Sequence, residues 1–416
     1  MVAVESLSGG ARAVARCDML GVAPYSDMEG ALYRGYLTPA HRAAINRVGS
    51  WMIEAGMQVE VDPAANLVGR YDGSDPGVPA LLIGSHIDSV RDGGRYDGPL
   101  GVMLGIECVS ALNDAGQRMP FPIEVIAFGD EEGSRFPAAM LTSRAVAGTL
   151  DPAALDIVDA DGVSLADAGV DISAYCNAAR RPGSAFAYLE AHIEQGPVLE
   201  AERLAVGTVT GIAAQLRYHV EITGIAGHAG TSSMPLRRDA LAGAAEMILA
   251  IEGVARADAS DLVATVGCIE AIPGAANVIS GAVRFTLDVR CGDTVRRDCA
   301  AGAMLDRIAD IADGRALGCN IERVHDLPAS PCDPALMDIM DAATADAGQC
   351  PFRLVSGAGH DAMVMAALCP TAILFVRCQD GISHNPAEHV DPSDAEIALQ
   401  VMLGFINRLG AEYAHA

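Results

Sequence analysis

The chain has 416 residues, of which 54 are acidic and 28 are basic, so its formal net charge at pH 7 is −26. This charge repels nucleic acids and anionic membranes, and we expect neither as a partner. A chain of this length exceeds the size at which one hydrophobic core stops growing, which predicts two domains. The 11 cysteines include no Cys-x-x-Cys pair, and the N-terminal residues resemble neither a signal peptide nor a membrane span. These features predict a cytoplasmic protein with reduced thiols.

Lysine is absent from the sequence, so all 28 basic residues are arginine. Several classes of enzyme need a catalytic lysine: Ser-Ser-Lys amidases, Glu-Lys-Cys carbamoylases, P-loop enzymes and Schiff-base enzymes. Hydrolases whose two metal ions are bridged by a carbamylated lysine need one as well. The composition therefore excludes all of these mechanisms.

The spacing of apolar residues predicts an α/β fold in the first half of the chain. Thr38 and Pro39 are typical of the N-cap and first position of a helix. Residues 80–84 and 123–128 are apolar runs that predict buried strands, with a helix over residues 100–112 between them. Each strand leads directly into polar residues. This pattern is typical of a parallel sheet whose functional site lies beyond the carboxyl ends of its strands.

From about Gly211 the pattern changes to alternating strands, at residues 218–223 and 283–289, with two helical stripes. Two helices on one antiparallel sheet predict a small α+β domain. A buried strand at residues 372–376 then returns the chain to the first domain. The predicted domains are a catalytic domain of residues 1–210 and 327–416, and an inserted domain of residues 211–326.

Five segments place histidines and carboxylates at strand ends or beside glycines: residues 84–88, 93–98, 130–133, 192–196 and 381–386. Mixed imidazole and carboxylate ligands suit zinc, manganese, cobalt or nickel, whereas oxygen ligands alone suit calcium or magnesium. A centre with two metal ions needs a bridging carboxylate and a nearby unligated base. Asp97 is a candidate bridge, and Glu131 and Glu132 are candidates to divide the roles of base and ligand.

A single histidine in a loop is usually a surface or capping residue, and two adjacent acids usually lie in a solvated turn. Glu131 and Glu132, however, follow an apolar strand of six residues, where two charges need a structural or functional reason. The joint occurrence of the five segments favours a metal site. Outside them, His41 is predicted to lie on an exposed helix face, and His360 and His389 remain unassigned.

Seven motifs together resemble the hydantoinase/carbamoylase branch of the M20 metallopeptidase-like amidohydrolases. They are, in chain order, GSHIDSV, GGRYDGPLGV, DEEGSRF, HIEQGP, GHAGT, SGAGHDA and GISHNP. The resemblance covers nearly the whole chain. Peptidases of the superfamily usually carry an acidic residue where this chain has His192, so HIEQGP favours the carbamoylase branch.

The resemblance implies two divalent metal ions per subunit, of zinc, manganese, cobalt or nickel. It implies five ligands: His86, Asp97, Glu132, His192 and His384. Asp97 would bridge the ions, with His86 and His192 on one side and Glu132 and His384 on the other. The resemblance also implies a cis peptide bond between Asp97 and Gly98.

Further roles follow from the same resemblance. Glu131 would be the general base, and Asp88 would orient His86. His228 would donate a hydrogen bond to the developing oxyanion. The substrate would be bound by Gln195, Asn277, Arg290, Gly357 and Ala358. Arg290 suits a carboxylate because its planar fork matches two oxygens.

The implied activity is hydrolysis of the carbamoyl C–N bond of an N-carbamoyl-L-amino acid to the amino acid, carbon dioxide and ammonia. Allantoate, ureidoglycolate or β-ureidopropionate amidohydrolase remains an alternative with the same ligands. A metallo-exopeptidase or aminoacylase is less compatible with His192, and an inactive binding protein is less compatible with Glu131 beside all five ligands. The resemblance also implies a homodimer formed through the inserted domain, which would act as a lid and lend His228, Asn277 and Arg290 to the partner.

Overall fold

The computed structural model describes residues 7–413. The chain forms two compact units, and the smaller one contains Gly211–Pro331 and Val355–Ala358. The smaller unit therefore extends beyond residue 326, where the sequence pattern predicted its end. Ser330 pairs with Ile212 as a β-bridge partner, and the backbone N–H of Ala213 donates to the carbonyl of Ser356 at 2.9 Å. These backbone pairings hold both later segments on the smaller unit.

The larger unit begins with alternating helices and strands. They are α1 (Gly9–Leu20), α2 (Pro39–Glu54), β1 (Gln58–Val61), β2 (Leu67–Tyr71), β3 (Ala80–His86), α3 (Pro99–Asp114), β4 (Ile123–Phe128), α4 (Leu141–Ala147), α5 (Ile172–Tyr175), β5 (Ala185–Ile193), α6 (Val198–Glu202) and β6 (Val206–Ile212).

The smaller unit follows without interruption. Its elements are β7 (Ala214–Thr223), β8 (Gly227–His228), α7 (Ala240–Ala257), β9 (Val263–Thr265), β10 (Ile269–Ile272), β11 (Val278–Ile279), β12 (Ala282–Cys291), α8 (Thr294–Gly314), β13 (Gly318–Leu327) and β14 (Ser330–Pro331). The chain then returns through α9 (Pro334–Asp346), β15 (Arg353–Ser356), α10 (Asp361–Met365), β16 (Thr371–Val376) and α11 (Pro392–Tyr413).

The second helix begins where its sequence predicts. Pro39 occupies its first turn, and the side chain of Thr38 accepts the backbone N–H of His41 at 3.3 Å, which satisfies one of the free donors of a helix start. The prediction that His41 is exposed is wrong, because only 1% of this residue is accessible. Its ring packs edge-on against Tyr36, with 5.5 Å between the ring centroids.

The sheet of the larger unit confirms the α/β fold class. Its four central strands run parallel in the order β4-β3-β5-β16. Antiparallel strands flank them, with β2 and β1 on one side and β6 on the other. Every residue of β3, β4 and β16 is buried, as expected for parallel strands covered on both faces. Because these strands are parallel, their carboxyl ends meet at one edge of the sheet.

The smaller unit contains the expected antiparallel sheet with two helices. Its strand order is β10-β12-β7-β13, and β9 also pairs with β12. Along β12, Val283, Phe285, Leu287 and Val289 are buried in a core with residues of α7 and α8. The alternate residues point to the opposite face, since successive side chains of a strand alternate. Arg290 therefore lies on the face that the helices leave open.

A buried ion pair joins the first helix to the third. Glu107 of α3 is 2% exposed, and its carboxylate accepts two hydrogen bonds from Arg12, both at 2.7 Å. Arg16, whose side chain is 7% exposed, donates a third at 3.0 Å. Burial lowers the pKa of Arg16, and Glu107 opposes this shift. Within residues 7–413, no helix is long and apolar enough to cross a membrane.

Replacement of Glu107 by alanine should reduce the free energy of unfolding by about 3–5 kcal/mol. Arg16 would then be left buried with only the more distant carboxylate of Glu54, at 3.9 Å. Urea denaturation followed by circular dichroism measures this change. The matched control is Glu252→Ala, which removes an exposed partner of Arg256 on α7 and should cost about 0.5 kcal/mol or less. Equal losses in the two variants would show that the buried pair adds nothing specific.

Candidate functional site

The parallel strands and their following loops bring the predicted ligands to one edge of the sheet. His86 is the last residue of β3, and His192 is the last residue but one of β5. Glu132 follows the end of β4, Asp97 lies just before α3, and His384 lies in the loop between β16 and α11. Four of these five residues are largely buried, whereas the side chain of His384 is 51% exposed.

The carboxylate of Asp97 lies between the other ligands. Its Oδ1 atom is 3.6 Å from Nε2 of His86 and 3.2 Å from Nε2 of His192. Its Oδ2 atom is 3.2 Å from Nε2 of His384. The same nitrogen of His384 is 3.6 Å from Oε1 of Glu132. The two oxygens of Asp97 therefore face two different sets of side chains.

These side chains fit a divalent metal ion. Three sets have donor atoms within 4.8 Å of one another: His86, Asp97 and His192; His86, Glu131 and Glu132; and Asp97, Glu132 and His384. The Nε2 atoms of His86 and His192 are only 3.4 Å apart and face the same carboxylate oxygen. A cation between them would satisfy both lone pairs, and mixed nitrogen and oxygen donors suit a transition metal.

Hydrogen bonds at the far side of each ring set its tautomer. Nδ1 of His192 is 2.9 Å from the carbonyl oxygen of Ile193, and Nδ1 of His86 is 3.3 Å from that of Asp88. A carbonyl only accepts, so each Nδ1 carries the hydrogen. Nε2 of each neutral ring is then the atom with a free lone pair, as a metal ligand requires.

Asp88 orients more than the single histidine expected from the sequence. This residue is fully buried, and its Oδ1 atom is 3.4 Å from Nδ1 of His86. Its two oxygens also accept the backbone N–H groups of Glu131 at 3.1 Å and Glu132 at 3.2 Å. One carboxylate thereby aligns the end of β3 with the loop that follows β4.

The site concentrates charge away from water. Burial raises the pKa of Glu131 well above its usual range, although His86 opposes the shift. Burial, with the nearby Asp97, raises the pKa of Glu132 to about 7. Burial also acts to raise the pKa of Asp97, but the three neighbouring histidines outweigh it and hold that pKa well below its usual range. Crowded carboxylates of this kind are stabilised by a cation.

Gln195 lies beside the bridging candidate. Its φ angle is 56°, and its Nε2 atom donates to Oδ2 of Asp97 at 2.9 Å and to Oγ of Ser383 at 3.2 Å. The peptide bond after Asp97 is trans, because the cis bonds of residues 7–413 precede Pro24 and Pro273. The prediction of a cis bond between Asp97 and Gly98 is therefore wrong.

Sequence reasoning missed several residues of this centre. Ser383 donates to Asp97 at 2.8 Å, and Glu388 accepts backbone N–H groups of the Asp97 loop. The unassigned His360 packs against His192, with 4.3 Å between the ring centroids. Glu388 follows the GISHNP motif by two residues, and an acid so close to a candidate ligand was the available signal.

The remaining candidates lie on the smaller unit. Strands β8 and β11 place His228 opposite Val278, and the backbone N–H of Ala229 donates to the carbonyl of Asn277 at 3.0 Å. His228 and Asn277 are both exposed and lie close together. The candidate metal ligands, Glu131 and Gln195 lie on the larger unit, whereas His228 and Asn277 lie on the smaller unit.

Arg290, at the end of β12, forms a second group with Gly357 and Ala358. Its Nε and Nη2 atoms donate to the two oxygens of Asp288 at 2.8 and 3.1 Å. Its Nη1 atom donates to the carbonyl of Gly357 at 2.5 Å, and Ala358 follows with its N–H bonded to Oγ of Ser356 at 3.2 Å. The guanidinium is thus held in one orientation.

Comparison with known proteins places this architecture in a family. Residues 82–408 match the profile of peptidase family M20/M25/M40. The chain is 44% identical to an N-carbamoyl-L-amino acid amidohydrolase of Geobacillus stearothermophilus, over 90% of this chain and 92% of the relative. It is 39% identical to allantoate deiminase 2 of Glycine max, over 95% and 89% of the two chains.

A solved structure agrees with these relatives. It is an amidase of the hydantoinase/carbamoylase family from Burkholderia multivorans, which superimposes with a TM-score of 0.89 at 36% identity and covers 96% of this chain and 97% of its own. The fold, the convergent His and carboxylate side chains and the relatives lead to one assignment. The chain belongs to peptidase family M20/M25/M40 and, within it, to the metal-binding hydantoinase/carbamoylase amidases.

Proposed function

We propose that this protein is a metal-dependent amidohydrolase that cleaves the carbamoyl C–N bond of an N-carbamoyl-L-amino acid. The products would be the L-amino acid, carbon dioxide and ammonia. The observation that carries the proposal is the buried Asp97 carboxylate, whose two oxygens face different sets of ligand-type side chains. The identity of 44% to a relative named as an N-carbamoyl-L-amino acid amidohydrolase supports this choice of substrate.

The proposed cofactor is a pair of divalent ions of zinc, manganese, cobalt or nickel. His86 and His192 would hold one ion, Glu132 and His384 the other, and Asp97 both. When bound, such ions supply Lewis acidity, which polarises a carbonyl group and lowers the pKa of water. The distances around Asp97 support this division, because each of its oxygens has its own histidine partners.

Glu131 is the proposed general base. The backbone N–H of Glu131 donates to Asp88 at 3.1 Å. The carboxylate of Glu131 lies within 4.8 Å of donor atoms of His86 and Glu132. Glu131 would take a proton from the water that attacks the carbamoyl carbon. The same proton would then pass to the leaving nitrogen as the C–N bond breaks. The carbamate released decomposes to carbon dioxide and ammonia.

His228 is the proposed donor to the developing oxyanion. Its Nδ1 atom accepts the backbone N–H of Gly230 at 3.0 Å, so the neutral ring carries its hydrogen on Nε2. The residue is exposed, which leaves this N–H available to a carbonyl oxygen that gains negative charge. Asn277 lies beside it with a polar amide and is the proposed second contact.

Arg290 is the proposed partner of the substrate carboxylate. Asp288 occupies the edge formed by Nε and Nη2, and Gly357 takes one hydrogen of Nη1. Asp288 leaves open the edge that Nη1 and Nη2 share, and one N–H of each nitrogen has no partner among the described residues. This edge matches two carboxylate oxygens. Gly357 and Ala358 would border the bound carboxylate.

A substrate side chain has room beside this arginine. A cavity of about 530 Å³ on the smaller unit includes Arg290 and Gly357 in its lining, together with Val263, Thr265 and Val324. On the larger unit, Gln195 is the proposed contact for the ureido group. Its Oε1 atom is buried and has no hydrogen-bond partner among the described residues. It could therefore accept a substrate N–H.

The main alternative substrate is allantoate, or the related ureidoglycolate or β-ureidopropionate. Relatives named as allantoate deiminases are 39–40% identical to this chain, and allantoate would use the same ligands and the same arginine. Peptidase or aminoacylase activity is disfavoured by His192, and an inactive binding protein by the presence of Glu131 beside all five proposed ligands.

Purified protein should release ammonia faster from N-carbamoyl-L-amino acids than from allantoate, and should not cleave a dipeptide. A chelator should abolish the activity, because the proposed ions polarise the scissile group. Addition of manganese, zinc, cobalt or nickel should restore it. Faster release from allantoate than from every carbamoyl amino acid would favour the alternative substrate, and dipeptide cleavage alone would refute the proposal.

Glu131→Gln should lower kcat by about 10²–10⁴-fold, because the amide cannot take the proton of water. Metal content, measured by inductively coupled plasma mass spectrometry, should stay at the wild-type level. Glu202→Gln, at an exposed position at the end of α6, is the matched control and should keep full activity. Activity of Glu131→Gln within tenfold of wild type, with metal bound, would contradict the assignment.

We also propose that the working unit is a cytoplasmic homodimer. All 11 cysteines are free thiols, which suits a reducing compartment. Strand β13 lies at the end of its sheet and pairs with β7 along its other edge, and Met234 and Leu236 are 73% and 82% exposed. A two-fold pair of smaller units would cover such an edge in both copies. His228, Asn277 and Arg290 would then serve the metal centre of the partner.

Mixing inactive Glu131→Gln with inactive Arg290→Ala should restore part of the activity. One site of each heterodimer would then contain both an intact base and an intact arginine. The matched control mixes Glu131→Gln with His86→Ala, in which every metal centre keeps one defect and no recovery is expected. If subunit exchange is confirmed by mass spectrometry and the first mixture stays inactive, Arg290 does not serve the partner.

A further inference from the structure

Two loops of the metal centre are joined by a buried carboxylate that is not itself among the convergent ligands. Glu388 is 5% exposed and lies between His384 and the start of α11. Its Oε1 atom accepts the backbone N–H of Tyr96 at 2.8 Å and that of Asp97 at 3.1 Å. We propose that Glu388 is a positioning residue that sets the orientation of Asp97 for metal binding.

The reason lies in the location of Asp97. Asp97 belongs to a loop, so no strand pairing fixes its peptide plane, in contrast to His86 and His192. Two backbone N–H groups on one carboxylate oxygen hold consecutive peptide planes, and hydrogen bonds to a charged acceptor are stronger than those between neutral groups. Glu388 thus fixes the backbone of Asp97, as pairing with a neighbouring strand fixes the backbone of His86 and His192.

The loop is shaped to admit this carboxylate. A Cβ atom added at Gly94 would lie 2.0 Å from Cδ of Glu388 and 2.2 Å from each of its oxygens. No side chain fits in that space, so the backbone of the loop approaches the carboxylate directly. Gly94 and Glu388 are therefore in direct contact, although they are far apart in sequence.

A serine extends the connection to the second loop. Oγ of Ser383 lies 3.1 Å from Oε2 of Glu388 and 2.8 Å from Oδ2 of Asp97. Ser383 directly precedes His384, so the same contacts fix the loop that carries this histidine. One oxygen of Glu388 thus binds the backbone of Asp97. The other oxygen lies beside Ser383, which in turn contacts the side chain of Asp97.

Glu388 acts on the ion through these residues and is not a ligand. Among the described residues, the sets of donors that converge within 4.8 Å do not include it. Its Oε1 atom already accepts two backbone N–H groups, and its Oε2 atom lies 3.1 Å from Oγ of Ser383. Partners that orient metal ligands in this way typically change metal affinity about 10–100-fold when they are removed.

The test is metal binding by full-length protein that has been stripped with a chelator and titrated calorimetrically with zinc or manganese alone. Glu388→Ala should weaken binding about 10–100-fold. Glu388→Gln keeps an acceptor oxygen for the two N–H groups and should recover most of the affinity. The matched control is Asp333→Ala, because Asp333 also accepts two backbone N–H groups, at 2.9 and 3.1 Å, but at the start of α9.

A second variant covers the case in which Glu388→Ala does not fold. Gly94→Ala leaves the carboxylate in the chain but displaces it, and should weaken metal binding to a similar extent. Binding within threefold of wild type in every folded variant among Glu388→Ala and Gly94→Ala would overturn the proposal. An equal loss of affinity in Asp333→Ala would also overturn it, since the effect would then be general.

This inference depends on metal binding and not on the choice of substrate. Wild-type protein that binds zinc or manganese but hydrolyses no carbamoyl compound would refute the proposed function alone, and the titrations would still decide the role of Glu388. Wild-type protein that binds neither ion would overturn both.

Discussion

Several ionisable side chains meet at one edge of a sheet, and all of them except His384 are largely buried. Buried charges cost free energy unless they are paired and hydrogen-bonded. Here the pairing depends on Asp97, because its two oxygens are the common partners of His86, His192 and His384. Much of the surrounding architecture serves to keep that carboxylate aimed at three imidazoles.

The supporting contacts have different origins. The two strand histidines are aligned by β3 and β5 and by carbonyl groups behind their rings. Asp88 ties the end of β3 to the loop after β4 through two backbone N–H groups. The loop ligands lack such strand pairing and depend on side chains from distant parts of the chain. Strand pairing therefore positions one part of the site, and single side chains position the rest.

On the smaller unit, a neighbouring carboxylate fixes the orientation of Arg290. Arg290 lies on a strand face opposite the helices, and Asp288 fixes its guanidinium before any ligand arrives. A side chain held in this way loses little conformational freedom on binding, which reduces the entropic cost of recognition. Asp288 also accepts hydrogen bonds from Arg217 and Gln215, at 2.7 and 2.8 Å. The negative charge of Asp288 is therefore shared among three side chains, which is compatible with the proposed binding of a carboxylate by Arg290.

The fold class and the ligand-type residues were predictable because both depend on local patterns. Apolar runs that end in polar residues indicate parallel strands, and parallel strands bring their ends together. The exposure predicted for His41 was wrong and the role of Glu388 was missed because both depend on contacts between distant parts of the chain. Burial of His41 depends on packing against Tyr36, and the bonds of Glu388 to Tyr96 and Asp97 span 292 and 291 positions. No spacing rule reveals such a contact, and the trans bond after Asp97 corrects an expectation drawn from resemblance alone.

The order of strands also affects how the protein forms as it leaves the ribosome. Strand β16 lies between β5 and β6, but it begins at Thr371, after the whole of Gly211–Pro331 has been synthesised. The nascent chain must therefore carry β5 and β6 without the strand that separates them, while most of the smaller unit is already available to fold. Unpaired apolar strands of this kind are prone to aggregate. The interval between the synthesis of β6 and that of β16 is thus the period in which the sheet of the larger unit is open to incorrect pairing.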